Sequence, residues 1–150
     1  MRRIIIDADK CQGCKNCAAA CMRAHAPTGA ELSFDDARLE PRNTILMNDK
    51  NEYKPLFCRH CKEPACAKAC ITGALVKDLE TQHVLYDKDR CAACFMCVMS
   101  CPFGVLKPDR ETKTYVVKCD FCKEFESEPN CAKNCPTKAI SVAAVAEGRG

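Results

Sequence analysis

The sequence contains no tryptophan, only six phenylalanines and only three tyrosines in 150 residues. Large apolar side chains dominate the burial in a conventional core, so this composition predicts a thin one that needs other support. No apolar run approaches the roughly 20 residues that a membrane-spanning helix requires. The N-terminus offers Arg2 and Arg3, three isoleucines (Ile4 to Ile6), and then Asp7, Asp9 and Lys10. That is too short an apolar stretch for a secretory signal, and no cleavage site follows it. A soluble, cytoplasmic chain is expected. A Gly-rich dinucleotide loop and a Walker-type phosphate loop are both missing. With no catalytic constellation visible, the chain is expected not to be an enzyme.

Cysteine is abundant where aromatics are scarce: there are sixteen. Disulfides, zinc and iron–sulfur clusters can each use cysteine at this density. The sixteen fall into four groups of four. Cys11, Cys14, Cys17 and Cys21 are spaced C-x2-C-x2-C-x3-C. Cys58, Cys61, Cys66 and Cys70 follow C-x2-C-x4-C-x3-C. Cys91, Cys94, Cys97 and Cys101 repeat the first spacing and precede Pro102. Cys119, Cys122, Cys131 and Cys135 have a wide central gap and precede Pro136.

The first and third groups match the run used by bacterial ferredoxins. Three thiolates within seven residues can wrap one corner of a cubane from a single loop. Adjacent backbone N–H groups then point at its sulfurs and stabilise the negative charge. The fourth cysteine lies about one helical turn further on and projects away; in two-cluster ferredoxins it ligates the other cluster. Zinc sites more often use two C-x2-C knuckles with a longer spacer, so a zinc-binding interaction module is the alternative of another class. Disulfides would need an oxidising compartment. The formal charge is +3, but four cubanes at about −2 each would bring it to about −5. Nucleic acid is therefore not expected as a partner.

Between the groups the sequence predicts short elements. Arg3 to Asp7 reads as a strand, and Ala139 to Val145 as one able to pair with it. Residues 42–57 suggest a hairpin with Asn48 to Asn51 at its tip. Ala74 to Lys77 and Val84 to Asp87 read as a second hairpin. Val105 to Lys107 and Thr114 to Lys118 flank a turn at Pro108, Asp109 and Arg110. Helical turns are expected at Lys15–Arg23, Pro64–Cys70, Phe95–Cys101 and Asn130–Cys135. The last three residues are expected to fray.

Together the four groups resemble the four-cluster iron–sulfur subunits of dimethyl sulfoxide reductase, formate dehydrogenase, formate hydrogenlyase and carbon monoxide dehydrogenase systems. The most specific elements are the Cys58–Cys66 run and the wide gap in the last group. The stretches Lys77–Asp87 and Cys97–Gly104 look most like the subunit that accompanies carbon monoxide dehydrogenase. The resemblance implies an α+β fold of two nested bacterial 2[4Fe-4S] ferredoxin-like modules with short helices and β-hairpins. Residues 1–24 and 114–147 would form the outer module, 58–113 the inner one, and 25–57 a connecting segment with a hairpin.

It also implies four [4Fe–4S] clusters with exchanged ligands. Cys11, Cys14 and Cys17 would share one with Cys135, and Cys119, Cys122 and Cys131 one with Cys21. Cys58, Cys61 and Cys66 would join Cys101, while Cys91, Cys94 and Cys97 would join Cys70. Met22 and Ile71 stand where two-cluster ferredoxins usually carry proline after the fourth cysteine, so local backbone differences are expected. The family implies one-electron relay between an enzyme and a second redox protein. Carbon monoxide dehydrogenase and a flavin/NAD oxidoreductase are the expected partners; a formate dehydrogenase or hydrogenase complex is the alternative.

Other residues divide between roles near the clusters and ordinary ones. His60, inside the second group, reads as a packing or hydrogen-bonding residue beside a cluster. His25 and His83 read as surface residues. Lys15, Arg59, Lys62 and Lys68 could raise potentials or guide docking, or form a solvated face. Phe95, Met96, Val98 and Phe103 could exclude water from clusters or serve as core.

Overall fold

The computed structural model describes residues 1–123 and 128–145. Among them, eight short strands form four separate antiparallel pairs, connected by four short helices. The expected ends of the chain come together. Strand β1 (Arg2–Ile6) pairs with β8 (Ile140–Ala144), with Ile6 opposite Ile140 and Arg2 opposite Ala144. Isoleucine and valine suit such a half-buried ladder.

Helix α1 (Asn16–His25) follows the first cysteine loop and packs on α4 (Asn130–Lys133) from the last group. Strands β2 (Thr44–Met47) and β3 (Tyr53–Leu56) form the first hairpin. The Asn48 side chain closes its tip by accepting from the amides of Lys50 and Glu52 at 3.0 and 2.9 Å. Helix α2 (Ala65–Lys68), the hairpin of β4 (Leu75–Lys77) and β5 (Val84–Tyr86), and α3 (Met96–Ser100) form a second unit built like the first. Here α2 packs on α3. A two-residue ladder joins β6 (Lys107–Pro108) to β7 (Val116–Val117).

The equivalence extends to single bonds. Asp7 donates its amide to the Ala139 carbonyl at 2.8 Å, and Asp87 does the same to Ala74 at 2.8 Å. Each aspartate opens a short 3-10 turn, at Ala8–Lys10 and Lys88–Arg90, that delivers the chain to Cys11 or Cys91. The fold is thus α+β and ferredoxin-like, with one module nested inside the other.

Two apolar clusters hold it, and cysteines belong to both. One gathers Cys17, Phe57, Cys131, Ala132, Cys135, Ala139 and Ile140. The other gathers Cys58, Leu75, Val84, Cys97, Val105, Leu106 and Val116. Among the described residues no helix is long and apolar enough to cross a membrane. The stretch 114–147 expected to complete the outer module includes 124–127 and 146–147, outside the described residues, as do the three terminal residues expected to fray.

Two local expectations need correction. The ladder beyond Leu106 is shorter than predicted because Asp109 gathers the turn. Its carboxylate accepts the Thr112 amide at 2.7 Å and the Lys113 amide at 3.0 Å, so the chain bends before a longer ladder can form. Lys15 and Phe95, expected to start helices, instead sit in left-handed conformation just before α1 and α3, with φ of 60° and 56°.

Candidate metal centres

Cluster loops need backbone amides converging on one point, and left-handed residues produce that convergence. Each of the four groups has one two positions after its first cysteine: Gly13, His60, Ala93 and Phe121. Lys15 and Phe95 supply a second left-handed residue in the first and third loops. For Lys15, His60, Ala93, Phe95 and Phe121 this backbone carries a steric cost, which an anionic group held by the resulting N–H cradle can offset. The residues therefore fit the group they are expected to bind.

Backbone donors already reach sulfur. The Arg42 amide lies 3.3 Å from Cys21 Sγ, and the Phe121 amide 3.4 Å from Cys119 Sγ. Burial opposes the thiolates of Cys70 and Cys135, yet nearby backbone amides and the hydroxyls of Thr72 and Thr137 hold both below the ordinary thiol range. Each hydroxyl is 3.7 Å from its sulfur. The same contacts favour the thiolate, the form that ligates metal.

The grouping of sulfurs crosses the sequence groups. Burial pushes the Cys17 thiol up to about 12, reinforced by Cys14, Cys11 and Cys135. Burial likewise raises Cys97, with Cys70, Cys91 and Cys94 beside it. Cys61 is raised by burial and then by Cys58 and Cys101. Burial pushes Cys131 up to about 12, with Cys21 and Cys122 adding to it. Cys21, Cys119, Cys122 and Cys131 also line one small void together. Burial disfavours ionisation of these thiols on their own, and a bound metal supplies the positive charge that lets several neighbouring sulfurs ligate as thiolates.

The sets also approach one another. Cys131 feels Cys17, and the partly buried Cys119 is raised by burial first and by Cys58 next. Cys14 and Cys94 are the exposed cysteines.

A family model described as a 4Fe-4S dicluster domain matches residues 50–145. The chain belongs to the 4Fe-4S dicluster family. Membership favours cubane clusters over zinc, and sixteen cysteines account for four [4Fe–4S] clusters. The chain is 33% identical to electron transport protein HydN of Escherichia coli (strain K12) over 153 residues, covering 93% of this chain and 86% of HydN. It is 34% identical over 156 residues to a subunit of the anaerobic dimethyl sulfoxide reductase of the same strain, covering 96% of this chain and 74% of that subunit. Among solved structures, a component of the active site complex BamBC of benzoyl coenzyme A reductase in complex with benzoyl-CoA superposes with a TM-score of 0.54. It shares 28% identity and is covered over 79% of its length by 95% of this chain. As a member of the dicluster family, the protein is an iron–sulfur electron transport protein of the kind these relatives represent.

The histidines need a revised account. His60 is buried, as a packing residue should be, and its Nδ1 accepts the Val84 amide at 3.0 Å. Burial, then Lys118, keeps it neutral well below its ordinary range. His83 is not a plain surface residue: it stacks on Phe121 at 4.2 Å between ring centroids and contacts His60 at 4.8 Å. This stack ties the second group to the fourth through the β4–β5 hairpin.

His25 is not a surface residue either. It bridges the Cys21 carbonyl at 2.8 Å and Asp120 at 3.3 Å. Burial is the largest single effect and works against its cation, but Asp120 and Cys21 together outweigh it and raise it to about 9. No spacing signal in a single sequence pairs His25 with Asp120. Of the residues considered for water exclusion, Met96 is exposed while Phe95, Val98 and Phe103 are partly buried around the second core cluster. Arg59 lies over the Phe103 ring at 4.1 Å, and Lys68 pairs with Glu63 on the surface.

Proposed function

We propose that the chain relays single electrons through its clusters between carbon monoxide dehydrogenase and a second redox protein, a flavin/NAD oxidoreductase, in the cytoplasm. The observation that carries the relay is the sequence of neighbouring sulfur sets: Cys17 beside Cys131, and Cys119 beside Cys58. On the exchanged ligand assignment, these contacts order three clusters, and the apolar cluster that holds both Cys58 and Cys97 adds the fourth to the wire. The cluster of Cys11, Cys14, Cys17 and Cys135 leads to that of Cys21, Cys119, Cys122 and Cys131. Next come Cys58, Cys61, Cys66 and Cys101, and then Cys70, Cys91, Cys94 and Cys97. The module boundaries 1–24 with 114–147, 25–57 and 58–113 belong to the same proposal. Each cluster supplies one-electron redox chemistry when bound; the protein sets its potential and spacing. On this reading the chain itself is non-catalytic.

The choice of carbon monoxide dehydrogenase rests on the resemblance in Lys77–Asp87 and Cys97–Gly104. The resemblance of the four cysteine groups extends equally to formate dehydrogenase and formate hydrogenlyase systems, so a formate dehydrogenase or hydrogenase complex is the second reading. Anaerobic holoprotein should bleach in the visible when given carbon monoxide and its dehydrogenase. Faster reduction by formate with its dehydrogenase, or by hydrogen with a hydrogenase, would replace the partner and leave the relay standing. No reduction by any of the three would overturn the relay itself.

A further inference from the structure

Antiparallel pairing leaves alternate residues of β1 facing away from β8. The terminal bonds set the phase: Val145 donates to the Met1 carbonyl at 2.8 Å, and Asp7 to Ala139 at 2.8 Å. Odd-numbered residues therefore bond to β8, and Arg2, Ile4 and Ile6 turn their backbone groups outward. His83 Nε2 donates to the Arg2 carbonyl at 3.0 Å. The outward groups of Ile4 and Ile6 have no hydrogen-bond partner among the described residues.

These groups border a cleft of about 520 Å³. Its other walls are Pro55 to Arg59 and the Pro102–Phe103 corner. Strand β3 does not supply the missing partner. Asn48 donates to Glu52 at 3.0 Å, which places Leu56 and Lys54 in the β2 ladder and turns Pro55 outward. At that point the facing wall has a proline ring instead of an amide. The cleft thus has one edge able to pair and one that cannot. Its lining is apolar except for Arg3 and Arg59, and contains no acidic residue. Neither arginine has a carboxylate partner among the described residues; Arg3 contacts Met1 Sδ and Arg59 covers Phe103.

We propose that the free edge of β1 docks an extended, acidic segment of a redox partner, which adds to the sheet as a third strand. Main-chain bonds to Ile4 and Ile6 give affinity, and alternate carboxylates facing Arg3 and Arg59 give selectivity. The cleft reaches the buried Cys58, so a bound segment lies beside one of the cysteine groups. The proposal deepens the relay reading by placing one docking surface, and it is tested separately from electron transfer.

Anaerobic holoprotein is mixed with a short synthetic peptide of alternating Glu and Val, or with its Lys/Val counterpart, and amide hydrogen exchange is read across residues 1–8. The Glu/Val peptide should slow exchange at Ile4 and Ile6 by on the order of tenfold, with little effect from the Lys/Val peptide. Ile4→Pro removes an outward amide together with the isoleucine's packing on the first apolar cluster, and Ile4→Ala removes the packing alone. Both should keep the β1–β8 ladder and the visible cluster spectrum, while peptide protection at Ile6 is lost only in the proline variant. Arg3→Glu should reverse the peptide preference. Three results would overturn the proposal: equal protection by both peptides, no protection by either, or protection that rises with protein concentration without peptide. The last would mark the edge as an interface between copies of this chain. None of these outcomes alters reduction by an enzyme and its substrate, so failure here and failure of the relay are distinguishable.

Discussion

His25 on α1 and Asp120, beside the last cysteine group, meet with Nε2 3.3 Å from Oδ1. Arg42 joins them, its guanidinium 2.6 Å from the other carboxylate oxygen. Burial opposes the Asp120 carboxylate, yet His25 and Arg42 hold it well below its ordinary range. Because the Arg42 amide also reaches Cys21 Sγ, this charged group supports the backbone around one sulfur set.

Asp120→Asn should therefore destabilise the holoprotein by on the order of 2 kcal/mol, since it leaves two partly buried cations without their counter-charge. Arg42→Gln should cost less, and the double substitution should cost less than the two added together. Anaerobic thermal bleaching of the clusters reads all three, and strict additivity would show that the contact contributes nothing.

Every cysteine lies in a group, so the holoprotein should contain about sixteen iron and sixteen inorganic sulfide per chain. Chelation of that iron should abolish the cooperative unfolding transition, because the clusters cross-link two apolar cores that are each small. Iron and sulfide analysis and calorimetry check the two halves; about eight iron at full occupancy would contradict four clusters.

Cys135→Ser should disturb the cluster of Cys11, Cys14 and Cys17 more than that of Cys119, Cys122 and Cys131. The basis is the packing of Cys135 with Cys17 in one apolar cluster where α1 meets α4. Site-resolved spectroscopy of the reduced protein distinguishes the clusters. A change confined to the Cys119, Cys122 and Cys131 cluster would refute the exchange of ligands.

Gly13 has φ +67° in the first cluster loop, and a Cβ there would lie 2.3 Å from Tyr53 Cε1. Gly104 has φ +59° but open space around it. Gly104→Ala should cost about 1 kcal/mol from backbone strain alone. Gly13→Ala must also displace the tyrosine ring of β3 and should cost about 2–3 kcal/mol in total. Thermal bleaching of the two variants gives the comparison, and equal losses would mean that Tyr53 yields freely.

Cysteine spacing made the four loops legible and turn residues between apolar runs the two longer hairpins, because ligands and turns are local patterns. The β1–β8 pairing was legible only as two apolar end segments able to pair. The His60–His83–Phe121 stack was not legible. It joins residues from three segments whose neighbours carry no common signature. The same holds for His25 with Asp120. A lone histidine amid polar residues reads as exposed until the fold brings a carboxylate to it. Left-handed backbone was missed at Lys15, Ala93 and Phe95, none of which is a residue type that signals it. There the demand comes from the anion to be cradled rather than from side-chain preference.

The meeting of β1 with β8 also orders biosynthesis. Residues of the β4–β5 hairpin and its two helices leave the ribosome together and close short loops among themselves. Asp7 must wait until Ala139 has been made before their hydrogen bond can close the outer sheet. Through that interval Cys11, Cys14 and Cys17 lack both the strand β8 and the Cys135 sulfur. On the proposed module division, the inner half can therefore close first, and the earliest-made cysteines are among the last to be enclosed.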